Sequence, residues 1–267
     1  MVKERADVLS VNQGLFDSRE KAKRAIMAGI VFNDNIRIDK PGEKIPIESE
    51  LRIKGKKLPY VSRGGLKLEK AIKEFNFNVN GKGMIDIGSS TGGFTDCALQ
   101  NGAQYVYALD VGTNQLAWKL REDERVIVME KTNFRHCDKS MFPRPIDIAT
   151  IDVSFISLTL ILPKLSELIE VDGEVCALIK PQFEAGKDKV GKGGIVRDKK
   201  VHFEVLEKIY YFANSLGFSV INATYSPITG GDGNVEYLMI LKFNKENVEN
   251  GKINLEKLVE EANTNFK

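Results

Sequence analysis

Short apolar runs recur along the last two thirds of the chain, spaced so that one helix fits between each pair. KGMIDIG, QYVYALDVG, RVIVME, PIDIATIDVS and EVCALIK read as buried strands, and TDCALQNGA and ISLTLILPKLSELIE between them have helical length. That alternation predicts a doubly wound α/β domain: a mostly parallel sheet, covered on both faces, with ligands held beyond the carboxyl ends of its strands. FSVINATYS and EYLMILKF follow the helix HFEVLEKIYYFANSLG and are separated only by a polar, Gly-rich loop, so they predict an antiparallel hairpin that closes a seven-stranded sheet. The first part of the chain has another pattern. Asp17-Ser18-Arg19-Glu20 has the form of a capping box before KAKRAIMAG, where Ala22, Ala25 and Ile26 share a face and Gly29 supplies the stop. IVFNDNIRIDKPGEKIPIESELRI then reads as short strands broken by Asn-Asp and Pro-Gly turns. The basic, Pro-containing KGKKLPY, residues 54–60, lies where a linker belongs, which divides the chain into a small α+β module at residues 1–58 and a large α/β domain at 59–267.

Charge sharpens this division. The net charge of +2 is small, but residues 1–60 hold 13 Lys and Arg against 9 Asp and Glu, a balance of +4, and the remainder holds 26 against 28, a balance of −2. A basic module in front of a near-neutral domain suggests an anionic partner gripped by the first. At 42% hydrophobic and 28% charged residues the composition is that of an ordinary water-soluble chain, with no apolar run long enough to span a bilayer. MVKERADVLS is charged from its third residue and lacks an apolar secretion stretch, so a cytoplasmic location and no membrane partner are expected. Cys97, Cys137 and Cys176 fit neither a disulfide framework nor a zinc site and are expected as reduced, buried thiols. His136 and His202 have no ligand-like companions, and no metal is expected.

SREKAKRAIMAGIVFND, with helix, glycine stop and strand in order, resembles the S4 RNA-binding domain over about residues 5–54. The resemblance implies that Arg5, Ser18, Arg19, Lys23 and Arg24 meet structured RNA, together with Arg63 just beyond the module.

The first strand of the large domain runs into Asp86-Ile87-Gly88-Ser89-Ser90-Thr91-Gly92-Gly93-Phe94, which opens a helix. Glycines there let a backbone approach a ligand closely. A dinucleotide site would want G-x-G-x-x-G, and Ser90 stands where the second glycine belongs, so this loop is not built for a pyrophosphate. Asp110, followed by Val111, ends the second strand about 20 residues on, where a carboxylate can accept bonds from both hydroxyls of a ribose. An acid at the end of strand one, a glycine loop and an acid at the end of strand two resemble the S-adenosylmethionine site of class I methyltransferases. The resemblance implies that Asp86 lies near the methionine portion, Gly88 to Phe94 form the cradle, Asp110 and Val111 take the ribose, and the stretch Glu130 to Asn133 flanks the adenine, with Asn133 the contact; Asp152 would border the same cofactor.

Four charged residues remain at places where such sheets carry chemistry. Lys67 lies on a helix leading into the first strand, Asp152 ends strand four, Lys180 ends strand five after a run of core residues, and Glu236 opens the last strand. An ammonium at the end of a buried strand is costly unless it is placed there for a purpose. A second lysine and desolvation lower a lysine pKa while carboxylates raise it, and a lysine that reaches its neutral form can act as a general base. This Lys-Asp-Lys-Glu set resembles that of the FtsJ-type RNA 2′-O-methyltransferases. With YVSRGGLKL, DIGSSTGGFTD, DVSFISL, IKPQFE, GKGGIVRD and GGDGNVEY in order, the whole chain resembles the TlyA, or haemolysin A-like, family of ribosomal RNA methyltransferases. The resemblance implies a cytidine ribose of 23S ribosomal RNA as target, 16S RNA as a second candidate, and ribosomal subunits as partners. It makes Lys180 the base, Lys67 and Glu236 the orienting pair and Asp152 the residue that steadies Lys180. GKDKVGKGGIVRD, residues 186–198, is expected as a loop that orders on RNA.

Three rival functions differ in what they require. Amino-group methylation usually shows Asn/Asp-Pro-Pro-aromatic after strand four, where this chain has Asp152-Val153-Ser154-Phe155, and methylation of a pyrimidine carbon needs a placed cysteine nucleophile. A non-catalytic ribosome-binding or assembly factor has no need of the charged set. A haemolysin would need a membrane-active segment, and without one could act only indirectly.

Overall fold

In the computed structural model, residues 2–54, 58–230, 233–245 and 249–266 are described. Part of the expected linker and two residues of GGDGNVEY lie outside them. The chain divides into two compact units, Met1–Gly64 and Gly65–Lys267.

The first unit contains β1 (Lys3–Arg5), α1 (Ala6–Asn12), α2 (Arg19–Met27), β2 (Val31–Asn33), β3 (Ile36–Arg37), β4 (Lys44–Pro46) and β5 (Leu51–Ile53). β1 pairs with β4, and β3, β2 and β5 form a second small antiparallel sheet. Ala6, Leu9, Ala25, Ile26, Val31, Ile38, Ile45 and Leu51 make its core. Helix α2 starts one residue later than the capping-box pattern suggests: Ser18 accepts the Lys21 N–H, while Asp17 pairs with Lys21 at 2.5 Å and Glu20 with Lys23 at 2.6 Å. A serine hydroxyl reaches the free amides as well as an aspartate does, which released Asp17 for its ion pair. At the other end Gly29 adopts φ +70, and a Cβ there would meet the Arg63 side chain at 2.9 Å.

The second unit follows the alternation read from the sequence: α3 (Gly65–Phe75), β6 (Gly83–Ile87), α4 (Gly93–Gln100), β7 (Tyr105–Leu109), α5 (Trp118–Arg121), β8 (Val126–Met129), β9 (Ile148–Ile151), α6 (Leu162–Leu168), β10 (Glu174–Ile179), α7 (Pro181–Glu184), α8 (Lys199–Ser215), β11 (Phe218–Tyr225), β12 (Tyr237–Phe243) and α9 (Leu255–Asn265). The seven-stranded sheet has the order β11-β12-β10-β9-β6-β7-β8. From β10 to β8 every pairing is parallel, and β12 runs antiparallel to both β10 and β11. Strands β6, β7 and β9 are buried throughout, as a sheet covered on both faces requires. The order reverses between β6 and β9, and this is where such sheets bind ligands. Because β12 is reversed, its first residues stand at the edge where the parallel strands end. Among the described residues no helix is long and apolar enough to cross a membrane.

Candidate active site

A cavity of about 500 Å³ opens at the carboxyl ends of β6, β7 and β9, within the range of small-molecule sites. Of the residues expected at a cofactor, Gly88, Ser90, Asp110, Val111, Asn133 and Asp152 line it. Ser89, Thr91, Gly92, Gly93, Phe94 and Asp86 do not; they form the structure beneath. Gly88, at φ +86, has no room for a side chain, because a Cβ would lie 2.6 Å from the Asp152 carbonyl oxygen. Ser90 adopts φ +47, a conformation uncommon without glycine. That turn aims its N–H at Asp110 Oδ2 (2.8 Å), while Asp110 Oδ1 accepts the Gly112 N–H (2.7 Å). Each oxygen keeps a lone pair for a ligand hydroxyl. With Leu109, Phe134 and Ile156 as apolar walls, the cavity suits a nucleoside-sized ligand.

Asp86 is held from within the fold. Its oxygens accept from Thr95 N–H (3.1 Å), Thr95 Oγ1 (2.7 Å) and Thr150 Oγ1 (2.9 Å), and it is 1% exposed. Burial pushes its pKa up to about 6, against the pull of these hydrogen bonds and with a smaller push from the Asp152 charge. It ties the first turn of α4 to β6 and β9. Glu130 is likewise spent, accepting the N–H groups of Asn114 (2.8 Å) and Gln115 (3.0 Å) and pairing with Arg121. Asn133 both lines the cavity and accepts the Arg135 N–H (3.2 Å).

The four charged residues meet in one cluster. Lys67 Nζ lies 2.7 Å from Glu236 Oε2 and 3.5 Å from Asp152 Oδ2, and Lys180 Nζ lies 2.5 Å from Asp152 Oδ1. One carboxylate therefore joins two ammonium groups. Burial alone would lower the Lys67 pKa, but Asp152 and Glu236 outweigh it and hold the ammonium above the ordinary lysine value. Burial alone would raise Asp152, but Lys67 and Lys180 hold it well below the usual carboxylate range. Gly230 makes room for Glu236: a Cβ there would lie 2.1 Å from Glu236 Oε1.

Lys180 Nζ also donates to Ser154 Oγ (3.1 Å). Ser154 and the next residue, Phe155, line the cavity and were not singled out in the sequence. Phe155 is 90% exposed with φ +63, and its ring lies 4.9 Å from that of Phe183. A large apolar ring held in solvent by a strained backbone is the kind of departure found at functional sites. The DVSF stretch holds this signal only as an aromatic three residues past Asp152, and nothing in it announces exposure. The three cysteines are free and buried, and burial pushes the Cys176 thiol far up, so none is a nucleophile at the cavity.

The loop 186–198 contains a turn at Lys187–Lys189 and is tied down near its end. Val196 is buried; its N–H donates to Asn234 Oδ1 (3.2 Å), and its carbonyl accepts from His202 Nε2 (2.9 Å). That contact places the proton on Nε2, so Nδ1 accepts from the Tyr237 hydroxyl at 2.7 Å.

In the first unit, Asp7 is fully buried and holds two of the expected RNA-side arginines. Arg5 Nε lies 2.9 Å from its Oδ1, and Arg19 Nη2 3.0 Å from its Oδ2. Ser18 caps α2, Lys23 pairs with Glu20, Arg24 Nε reaches the Glu20 carbonyl at 3.4 Å, and Arg63 pairs with Asp39 at 2.9 Å.

Comparison with known proteins agrees with this geometry. The family model for FtsJ-like methyltransferases matches residues 60–243. The chain is 58% identical over 269 residues to a Bacillus subtilis protein named "Putative rRNA methyltransferase YqxC", covering 99% of this chain and 96% of that one. It is 39% identical over 239 residues to the Mycobacterium tuberculosis 16S/23S rRNA (cytidine-2′-O)-methyltransferase TlyA, covering 89% of each. A solved structure, "Putative hemolysin from Streptococcus thermophilus", superposes with a TM-score of 0.80 at 52% identity, covering 100% of this chain and 98% of that one. The chain belongs to the FtsJ-like methyltransferase family, in its TlyA branch.

Proposed function

We propose that the protein uses S-adenosylmethionine to methylate the 2′-hydroxyl of a cytidine in ribosomal RNA, with 23S RNA as the main substrate and 16S RNA as a further one. The observation that carries this reading is the single Asp152 carboxylate shared by the Lys67 and Lys180 ammonium groups at the edge of a nucleoside-sized cavity. S-adenosylmethionine, when bound, supplies a methyl group activated on a sulfonium and leaves as a neutral thioether. Asp110, Val111 and Asn133 would hold its nucleoside. Lys180 first releases its ammonium proton to solvent, the amine so formed takes the proton from the sugar hydroxyl, and Asp152 stabilises the ammonium that is restored. Lys67 stays charged between Asp152 and Glu236 and orients the hydroxyl oxygen as a hydrogen-bond donor. Placing the oxygen and removing one proton are the tasks the chain must perform. The exposed Phe155 ring offers the target base a stacking surface once it leaves its helix.

Residues 1–58 act in this reading as an S4-like module. Asp7 presets Arg5 and Arg19 so that two guanidinium groups face phosphates without first losing side-chain freedom. Incubating the protein with labelled S-adenosylmethionine and unmodified ribosomal RNA or subunits, then mapping ribose methylation, tests the reaction. Label on a cytidine 2′-oxygen supports the proposal, and label on a base or on no RNA ends it. Deleting residues 1–58 is expected to weaken RNA binding at least tenfold while cofactor affinity stays within about threefold; equal losses would make the module structural.

A further inference from the structure

A second acid stands at the far end of the IKPQFE run, and the proposed roles leave it unused. Glu184 closes α7, and its side chain is 2% exposed. Burying a carboxylate is costly unless its oxygens are occupied, and both are. Oε1 accepts the Leu158 N–H at 2.7 Å and Oε2 the Ser157 hydroxyl at 2.6 Å. Lys208 reaches Oε2 at 3.5 Å and the Glu184 carbonyl at 3.2 Å. The bonds to Ser157 and Leu158 cross from α7 to the segment that leaves β9.

That segment is short and fastened at three places. It starts at Asp152 and carries Ser154, which accepts from Lys180, and Phe155, which meets Phe183. It ends at Ser157 and Leu158, on Glu184. Lys180, Phe183 and Glu184 lie within five consecutive residues, so one turn of helix grips the segment at both ends and its middle. Phe155 holds a left-handed backbone at φ +63, which persists only where the surroundings impose it.

We propose that Glu184 is a positioning residue for methyl transfer: it fixes the Ser154–Phe155 segment against Lys180, so that the base-stacking ring and the proton acceptor keep one spacing. The inference rests on the reaction proposed above. Without Glu184 the segment loses its far anchor, and the Phe155 ring samples positions from which a stacked nucleotide no longer presents its hydroxyl to Lys180. A displacement of about 1 Å at a reacting group can cost on the order of a hundredfold.

Glu184→Ala is expected to lower kcat/KM for RNA by about 10- to 100-fold and leave S-adenosylmethionine affinity within about threefold. Glu184→Gln recovers most of the loss, since an amide oxygen still accepts the Leu158 N–H. The decisive measurement is a double-mutant cycle with Phe155→Ala. If Glu184 acts through the ring, its loss in that background costs less than about threefold, whereas an undiminished loss overturns the proposal. Should the alanine variant fail to fold, Ser157→Ala removes one of the two bonds and enters the same cycle. Amide exchange without RNA reads the same point independently of the reaction. Glu184→Ala must speed exchange across residues 153–158 and leave β6 and β7 unchanged, and unchanged exchange across 153–158 overturns the inference. If the wild-type protein methylates no ribosomal RNA, the proposed reaction fails, and exchange alone then decides whether Glu184 holds the segment.

Discussion

Two regions at the same edge of one sheet bury carboxylates in opposite ways. Under the glycine loop, Asp86 is surrounded by neutral donors, a backbone N–H and two threonine hydroxyls, and burial pushes it up to about 6. At the end of the neighbouring strand, two residues past the register partner of Asp86, Asp152 faces two ammonium groups and is held well below the ordinary range. Dipoles satisfy a buried oxygen without repaying the cost of its charge, whereas cations do both. The first arrangement serves to fasten a helix to strands. The second keeps full charges beside a cavity, where they can bind, orient and move a proton.

The largest effect expected from this contrast lies in the charged region. Lys180→Ala should reduce methyl transfer by about 10²- to 10⁴-fold, the usual contribution of a general base, with cofactor affinity within a few-fold by calorimetry. A variant that turns over normally would remove Lys180 as the proton acceptor. Glu236→Gln should come next, since Lys67 loses its nearer charge partner inside the protein. Breaking one buried ion pair costs about 3–5 kcal/mol, readable as a lowered urea midpoint, and turnover should fall with it. A loss below about 1 kcal/mol would mean that Asp152 alone suffices to hold Lys67.

Thr150→Val probes the neutral region and should have the smallest effect, about 1–3 kcal/mol, the cost of leaving a buried acceptor short of one donor. Its sign with pH separates the two regions. The folded pKa of Asp86 lies above its unfolded value, so its favourable contribution is present at low pH and is lost as pH rises through about 6. The charged form above that pH needs the threonine hydroxyl most, so urea titrations should show a larger penalty at pH 8 than at pH 5. A penalty independent of pH would mean that Asp86 stays ionised throughout.

The division between legible and hidden features follows the same physics. The strands and the reversed final strand could be anticipated because buried runs leave local patterns, whereas the grouping of Lys67, Asp152, Lys180 and Glu236 draws on the resemblance to the FtsJ-type set, since Lys67 on its helix carries no such pattern. The fate of Asp86 could not be anticipated. Its environment depends on Thr150, its register partner across β9, and on Thr95 in the following helix. Asp7 and Glu184 were hidden for a similar reason: a lone acid in a polar segment looks solvated until the partners that bury it arrive from elsewhere in the chain. Phe155 shows the converse, an aromatic residue that its neighbours would place inside and that a left-handed backbone turns outward.

The reversed direction of β12 also bears on when the molecule becomes active during its synthesis. Strands β6 to β10 and the residues that line the cavity all precede residue 236 in the chain. A chain grown only that far has three of its four charges, and Lys67 lacks its nearer counterion until the last strand slides in beside β10. Under the proposed mechanism the charged cluster is complete only once residue 236 has joined it.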